Sequence, residues 1–256
     1  MSVISYLEKR AGSAILSDTE QISINRSIDT IKNRLASYFG TQLSDHFRFG
    51  SSTRGTILPR SLDGESDIDY MVVFKDGGYT PQTYLDRLKR FADFYYSSSE
   101  IRQSSPSIIL LLNHIRFDLV PAVNNWPFGY RIPNGASAWR DTNPNDFNTK
   151  LTAKNNAELF MIKPTIRLAK FWNAHGGFIY DSYSFEKFIV ELPFFGCSNQ
   201  KDYLFKVIDS LNTNNDVEWR KEQIERAKKV VGQVRAYERA GMPSSAEIEV
   251  KKLIPD

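Results

Sequence analysis

Two aspartates lead directly into an apolar segment, and this feature constrains the fold of the chain more than any other. Asp67 and Asp69 stand at the start of the segment 66–74, whose second half has the composition of a buried strand. Carboxylates are disfavoured in strands and are almost never buried without a partner. Strand side chains alternate between faces at about 3.3 Å per residue, so the two carboxylates share a face, about 6.6 Å apart. The pair therefore predicts a polar site on one face of a sheet.

A Gly-Ser turn precedes the aspartate pair and offers a place for phosphate. Gly50, Ser51 and Ser52 follow a short predicted strand, and a loop rich in Pro, Ser, Asp and Gly connects them to Asp67. Glycine permits close approach of the backbone, and hydroxyls and amides at such a turn can bind phosphate oxygens. A Gly-Ser turn alone is common, but its combination with the aspartate pair is far more specific.

Asp118 is a third candidate acid, because it lies in a later apolar segment that we also predict to be a strand. Neighbouring strands lie about 4.8 Å apart, so an acid on a strand that flanks the pair would complete a three-carboxylate cluster. Such a cluster, without His or Cys, favours Mg²⁺ or Mn²⁺ over zinc, and two ions about 3.5–4 Å apart would fit it. Arg116, on the same strand face as Asp118, is an alternative ion-pair partner for this acid.

Apolar periodicity predicts a mixture of helices and strands in the first part of the chain and helices alone after about residue 150. Ser17 and Gly40 are suitable start and stop residues for the first predicted helix. Few residues separate the last two predicted strands, so we expect them to be antiparallel neighbours. The predicted helices cover 18–38, 81–96, 152–174, 182–192, 202–211 and 217–240, and the predicted strands cover 45–49, 66–74, 107–112 and 115–120.

The domain organisation follows from the stretch 126–148, which is rich in Pro, Gly and Asn and is the best candidate for a crossing between two lobes. A chain of 256 residues is long enough for two lobes. We therefore predict an N-terminal lobe at 1–125, which carries the acids, and a helical C-terminal lobe at 126–256.

Composition excludes several classes of protein. The net charge of +3 fits a polyanionic ligand but is too small to indicate nucleic-acid binding. Cys197 is the only cysteine, which excludes an intrachain disulfide and a multi-cysteine zinc site. The first ten residues lack a long apolar core, and the aliphatic run 108–112 is too short to span a bilayer. We therefore predict a cytoplasmic protein without a membrane partner.

Several segments resemble known families. The segments GSSTRGT, SDIDYMVVF and FDLVPA resemble the DNA-polymerase-β-type nucleotidyltransferase superfamily. The segments IPNGASAWRDTNP (132–144), IRLAKFWN (166–173) and SYSFE (182–186) are similar to the CD-NTases, bacterial relatives of cyclic GMP–AMP synthase and oligoadenylate synthase. These enzymes make cyclic oligonucleotide signals in antiphage defence. The resemblance covers roughly residues 40–195, whereas the last part of the chain carries no matching motif.

The resemblance implies an α/β (α+β) nucleotidyltransferase fold. A small mixed sheet would carry the acids, a helical C-terminal lobe would follow, and the active site would lie in the cleft between them. In this family Asp67, Asp69 and Asp118 would be the catalytic acids and would hold two Mg²⁺ or Mn²⁺ ions. One ion, held by all three acids, would activate the attacking hydroxyl, and the other would stabilise the leaving group.

The resemblance also implies a donor-nucleotide pocket. Ser51, in the turn with Gly50 and Ser52, would contact the donor triphosphate. Lys170 and Ser182 would bind the same triphosphate, and Tyr183 would lie against the donor base.

The residues themselves support only part of this pocket. Lys163, Arg167 and Lys170 are spaced to share one helix face, although such a stripe is commonly just solvated. Pro164 can kink or restart this helix and so change the register. Tyr183 could equally belong to the core.

The function that these features predict is metal-dependent joining of NTPs, ATP among them, into a cyclic di- or oligonucleotide with release of pyrophosphate. Regulatory or effector proteins are the expected macromolecular partners. Three alternatives stay open. An enzyme that extends the 3′ end of tRNA or another RNA would share every catalytic residue, but it would need an RNA surface and bind with strong salt dependence. A toxin-like enzyme would transfer nucleotides to a macromolecule. A non-enzymatic module would retain nucleotide, but it would have no need of a complete metal site.

Overall fold

The computed structural model describes residues 2–144, 146–213 and 217–256, and the chain divides into two compact units. The sheet unit comprises Ser17–Arg60 and Glu65–Asn148, and the helical unit comprises Met1–Leu16, Ser61–Gly64 and Thr149–Asp256. These units do not coincide with the division predicted at residue 125. The stretch 126–148 belongs to the sheet unit, whereas the N-terminal helix belongs to the helical unit.

The helices of the described residues are numbered in chain order. They are α1 (Val3–Ser13), α2 (Asp18–Phe39), α3 (Ser51–Arg54), α4 (Pro81–Tyr95), α5 (Asp146–Ala157), α6 (Ile162–His175), α7 (Ser182–Glu191), α8 (Gln200–Asp209), α9 (Glu218–Arg239) and α10 (Pro243–Val250). A short 3₁₀ helix, Gly40–Gln42, follows α2. None of these helices is both long enough and apolar enough to cross a lipid bilayer.

The strands form one mixed sheet. They are β1 (Leu43–Arg48), β2 (Asp67–Phe74), β3 (Glu100–Ser104), β4 (Ser107–Leu111), β5 (Arg116–Asn124), β6 (Tyr130–Asn134) and β7 (Ala138–Thr142). The order is β1-β2-β5-β4-β3, and β6 pairs with both β5 and β7. The β2–β5 pair is parallel and the other pairs are antiparallel, which confirms the predicted β4–β5 hairpin and the mixed sheet.

The two faces of β2 have different roles. Phe74 points toward the helices, where its ring centroid lies 5.0 Å from Phe39 of α2 and 5.1 Å from Tyr84 of α4. Met71 and Val73 point the other way and pack with buried residues of β5 and β6. Because side chains alternate along a strand, Asp67 and Asp69 share the face of Met71 and Val73. The acids therefore lie opposite the helix-covered face.

The helix α2 confirms the first predicted helix. Ser17 and Glu20 form a reciprocal capping box, in which each side chain accepts a hydrogen bond from the other residue's backbone N–H. The helix ends at Gly40, which has a φ of 50°. The side chains of Ile24, Ile31 and Leu35 are buried and lie at helical spacing, along one face of α2.

The helical unit is built around α6. Residues 165–173 of this helix are all buried, and α6 contacts α1, α7 and α8, while α9 contacts α8 and α10. The helices α7, α8 and α9 agree with the predicted segments 182–192, 202–211 and 217–240 within two residues at each end. The prediction of a helical C-terminal lobe is therefore confirmed.

The predicted single helix 152–174 is wrong, because α5 and α6 are separate helices. Between them Leu159 and Phe160 have φ values of 50° and 65°, in the left-handed region that ends helices. Pro164 lies in the first turn of α6, where its missing N–H is not needed. The proline therefore follows a restart of the helix and leaves the register of α6 intact.

Several elements of the described residues were not predicted from the sequence, among them α1, α3, α10, β3, β6 and β7. The strands β6 and β7 lie within 126–148, where we expected a crossing between lobes. The Pro, Gly and Asn residues of this stretch instead mark turns beside short strands, as at Gly135, which has a φ of 82°.

Candidate active site

The sheet brings the three predicted acids together. In the register of the parallel β2–β5 pair, Asp69 lies opposite Asp118 and Asp67 lies opposite Arg116. Alternation along both strands places these four side chains on one face. All four residues are half-buried, so their polar ends are neither in bulk water nor enclosed in the core. The three predicted acids therefore lie on one face of neighbouring strands, together with one cation.

Arg116 lies among the acids and bridges three of them. Its Nη2 donates a hydrogen bond of 2.9 Å to Asp67 Oδ2, and its Nε donates one of 3.0 Å to Asp118 Oδ1. Its Nη1 donates a third, of 2.7 Å, to Glu65 Oε2. Burial by itself lowers the pKa of Arg116, but the neighbouring carboxylates raise it, and the net direction is upward. Arg116 is thus a permanent cation within the acid cluster.

Glu65 is a fourth acid that the sequence analysis missed. It stands just before β2, and the alternation that unites Asp67 and Asp69 extends to it in the segment GESDID. This alternation is the sequence signal that could have identified Glu65 as a member of the cluster. Its side chain is 65% exposed, whereas that of Asp67 is 25% exposed. Glu65 therefore lies at the solvent side of the cluster.

The chemistry of the acids fits a hard divalent ion, because the donors are all carboxylate oxygens. Their present arrangement is less suitable. Asp118 Oδ1 accepts a hydrogen bond from Arg116, and Asp118 Oδ2 lies 3.2 Å from Ser107 Oγ, whose single hydrogen also has the Ser104 carbonyl oxygen as a partner at 3.0 Å. Among the described residues, no group of three or more His, Cys, Asp or Glu side chains is arranged to hold a metal ion. The carboxylate donors thus have the right chemistry for Mg²⁺ or Mn²⁺, but Arg116 donates hydrogen bonds to oxygens of Asp67 and Asp118.

The Gly50 turn lies directly against Asp69. Gly50 caps the short helix α3 with a φ of 74°, and a Cβ atom at this position would collide with the Asp69 carboxylate. The backbone N–H of Phe49 donates a hydrogen bond of 3.0 Å to the Asp69 carbonyl oxygen. Ser51 begins α3, and the Ser52 hydroxyl donates to the Phe49 carbonyl at 3.1 Å. Only glycine allows the turn and the acid to approach so closely.

In the helical unit, Lys170 is buried against Glu186. Lys163, Arg167 and Lys170 all lie on α6, as their spacing predicts, but the stripe is not a solvated face. Arg167 is buried, and burial lowers its pKa. The Lys170 ammonium donates a hydrogen bond of 3.2 Å to Glu186 Oε1, and these side chains are 5% and 1% exposed. The glutamate of the SYSFE segment therefore fixes the lysine in place.

The other two predicted donor residues lie at the start of α7. Ser182 is its first residue, and Asp181 caps the helix by accepting a hydrogen bond of 2.8 Å from the Ser184 N–H. Tyr183 is 47% exposed, which excludes the alternative that it belongs to the core. The Lys187 ammonium lies 5.7 Å from the centroid of its ring. Because α6 contacts α7, this unit groups Lys170 with Ser182 and Tyr183 on adjoining helices.

Comparison with known families identifies residues 1–155 as a Second Messenger Oligonucleotide or Dinucleotide Synthetase domain. Comparison with curated proteins gives no match.

Solved structures of three bacterial proteins are similar over nearly the whole chain. CdnC of E. coli MS115-1 with ATP has a TM-score of 0.74 at 15% identity, covering 100% of this chain and 98% of that one. The same protein in a complex with HORMA-deltaN has a TM-score of 0.72 at 16% identity, covering 98% of this chain and 97% of that one. CdnG of Bradyrhizobium diazoefficiens, a CD-NTase in complex with GTP, has a TM-score of 0.71 at 11% identity, covering 97% of each chain. DncV of Vibrio cholerae, a cyclic AMP–GMP synthase, has a TM-score of 0.75 at 11% identity, covering 94% of this chain and 92% of that one.

These structures share the mixed sheet and helical lobe, and they confirm the predicted fold class. The family match covers more than half of the 256 residues. The chain therefore belongs to the Second Messenger Oligonucleotide or Dinucleotide Synthetase domain family, and its fold is that of the CD-NTase structures to which it is similar.

Proposed function

We propose that this protein joins NTPs into a cyclic di- or oligonucleotide at the acid cluster of its sheet. In each step a ribose hydroxyl attacks the α-phosphorus of an NTP, and pyrophosphate leaves. The observation that carries the proposal is the placement of Asp67, Asp69 and Asp118 on one face of neighbouring strands, directly beside the Gly50 turn. Carboxylates grouped beside a glycine turn suit a triphosphate that is bound together with cations.

The cations would be two Mg²⁺ or Mn²⁺ ions held by Asp67, Asp69 and Asp118, as expected for an all-carboxylate donor set. When bound, such ions neutralise the triphosphate, activate the attacking hydroxyl and stabilise the leaving group. The acids themselves would contribute ligand oxygens and position.

The chain's own contribution to substrate binding is positioning and charge. We assign the donor triphosphate to Ser51, with Gly50 and Ser52 in the same turn, and to Lys170 and Ser182. Glu186 would hold the Lys170 ammonium in one orientation, which limits the entropy lost when a phosphate binds. The half-exposed ring of Tyr183 would stack on the donor base, and stacking of this kind tolerates every base.

The substrates and partners follow by analogy with the structural relatives. CdnC is known with ATP and with HORMA-deltaN, and CdnG is known with GTP. We propose that this protein likewise takes ATP or other NTPs and is controlled by a regulatory protein partner. A role in antiphage defence within the cytoplasm, where NTPs are available, completes the proposal.

The test is synthesis from radiolabelled NTPs with Mg²⁺ or Mn²⁺ and without RNA. The expected product resists alkaline phosphatase, because cyclisation removes every terminal phosphate, and chromatography then resolves it from the labelled phosphate released from NTPs. Asp69→Ala is the inactive control. A reaction that proceeds only with an RNA primer, and that leaves label on its 3′ end, would show that the protein is an RNA-extending enzyme instead.

A further inference from the structure

Arg116 offsets part of the negative charge of the acid cluster and contacts the carboxylates that would hold a metal ion. Its three donor nitrogens bond three different carboxylates, those of Glu65, Asp67 and Asp118, at 2.7–3.0 Å. The Arg116 side chain is only 20% exposed, so it is a packed component of the site rather than a mobile surface group. A guanidinium in such a fork geometry fixes the orientation of the carboxylates that it contacts.

The hydrogen bonds of the acids show which contacts an ion would have to replace. Asp118 Oδ1 and Asp67 Oδ2 each accept a hydrogen bond from Arg116. An ion held by both aspartates needs lone pairs on these same carboxylates. A guanidinium and a divalent ion also repel each other, and this repulsion is stronger at a half-buried site than in bulk water. Arg116 and a divalent ion therefore compete for the charge and the orientation of these two carboxylates.

Glu65 gives Arg116 a place to remain when an ion binds. Its contact with Arg116 Nη1 is the shortest of the three, at 2.7 Å, and its side chain is largely exposed at the solvent side of the cluster. Arg116 can thus keep its pair with Glu65 while it releases Asp67 and Asp118.

From this arrangement, and on the basis of the metal site in the proposed function, we propose that Arg116 is a built-in competitor of the divalent ions. It holds Asp67 and Asp118 in the metal-free protein, and it sets the metal affinity of the site. It is a positioning residue, because it acts through the two aspartates and not on the substrate. Nucleotide binding then favours the metal-bound arrangement, because the triphosphate supplies the negative charge that offsets the displaced guanidinium.

The experiment is calorimetric titration of the full chain with Mn²⁺ in the absence of nucleotide, combined with melting curves in EDTA and in saturating Mn²⁺. Arg116→Gln should bind Mn²⁺ about tenfold or more tightly than the wild type, because a full positive charge leaves the site. The same variant should melt at a lower temperature than the wild type in EDTA, since its carboxylates then repel each other. In saturating Mn²⁺ this deficit should disappear.

Arg102→Gln is the matched control, because Arg102 pairs with Glu100 on the same sheet with both side chains 59% exposed. It should leave Mn²⁺ affinity unchanged. Arg116→Lys keeps the charge but loses the fork, so its affinity should fall between the wild type and Arg116→Gln. This variant also serves if Arg116→Gln fails to fold in EDTA.

The outcomes separate this inference from the function on which it rests. Unchanged or weaker Mn²⁺ binding by the Arg116 variants, with normal binding by the wild type, overturns the competition alone. An Asp69→Ala protein that binds Mn²⁺ like the wild type places the ions elsewhere and overturns the proposed metal site as well. A lowered melting temperature that Mn²⁺ does not restore would show that Arg116 is merely structural.

Discussion

Both units of this protein hold a cation against carboxylates, but they do so in opposite ways. In the sheet unit, Arg116 faces Glu65, Asp67 and Asp118, so negative charge exceeds positive charge at a half-buried site. In the helical unit, Lys170 and Glu186 form a pair of opposite charges that is almost completely buried. The first arrangement leaves excess charge that further cations can neutralise. The second keeps a lysine in one position.

Under the proposed function, the acid cluster would hold cations and the Lys170–Glu186 pair would hold a lysine ready for phosphate. A cluster with excess carboxylates is under electrostatic strain without cations and so has affinity for them. The attraction within a buried ion pair offsets the free-energy cost of desolvation only while both partners are present. The predictions below test this contrast, in order of decreasing effect.

The largest effect is expected for Asp69→Ala. Loss of a metal ligand should reduce pyrophosphate release to the background level, because the ions and the substrate lose their common position. The melting temperature should stay the same or rise, since removing one of several clustered carboxylates relieves repulsion. A coupled pyrophosphate assay and a melting curve measure the two properties. Turnover by this variant, or by the wild type in excess EDTA, would contradict the assignment of the acids.

Glu186→Gln should be strongly destabilising, in contrast to the change in the acid cluster. The variant removes the counter-charge of a buried ammonium, which costs about 3–5 kcal/mol. Urea unfolding measures the free energy of unfolding. The matched control is Glu191→Gln in the same helix, because its pair with Lys150 is more than half exposed. That variant should change the free energy of unfolding little, because an exposed ion pair contributes little to stability. Equal costs for the two variants would show that burial of the Lys170–Glu186 pair is unimportant.

Nucleotide affinity should respond to changes in the helical unit. Lys170→Ala should weaken NTP binding by about 1–3 kcal/mol, the scale of a lost charge-assisted hydrogen bond. Tyr183→Ala should weaken binding of all four NTPs by about 1–3 kcal/mol, whereas Tyr183→Phe should have little effect. Calorimetry with each NTP measures these changes, and Phe195→Ala controls for loss of an exposed ring in the same unit. Unchanged affinity in both alanine variants would place the donor pocket elsewhere.

The smallest effect concerns the ion pair between Lys154, on α5, and Glu158, the residue directly after α5. This pair is of intermediate burial. Hydrogen bonds from Lys154 and from Tyr203 lower the Glu158 pKa below its ordinary value of 4.5. The resulting stability is present above that value and is lost as the pH falls through the folded-state pKa. Tyr203→Phe should remove about 1 kcal/mol above pH 4.5 and less under more acidic conditions. Urea unfolding at a series of pH values measures this, and a pH-independent loss would contradict it.

Local signals account for the parts of the fold that the sequence predicted. The helix α2 has a capping box, a glycine stop and a regular apolar stripe, and α4 and α7–α9 have comparable periodicity. The break between α5 and α6 was missed because Leu159 and Phe160 adopt a backbone conformation that their residue types do not signal. The strands β3, β6 and β7 each span five residues and were missed because so short a strand shows little periodicity.

The sequence by itself determined that Asp67 and Asp69 share a face, because the side-chain period of a strand is fixed. It also indicated that a glycine turn precedes them. Only the tertiary structure decided that Asp118 lies opposite Asp69 and Arg116 opposite Asp67, since strand register depends on contacts between segments that are distant in sequence. The same holds for Lys170 and Glu186, which meet where α6 packs on α7. A local pattern shows which residues carry charge, but the packing of separate elements decides which charges neutralise each other.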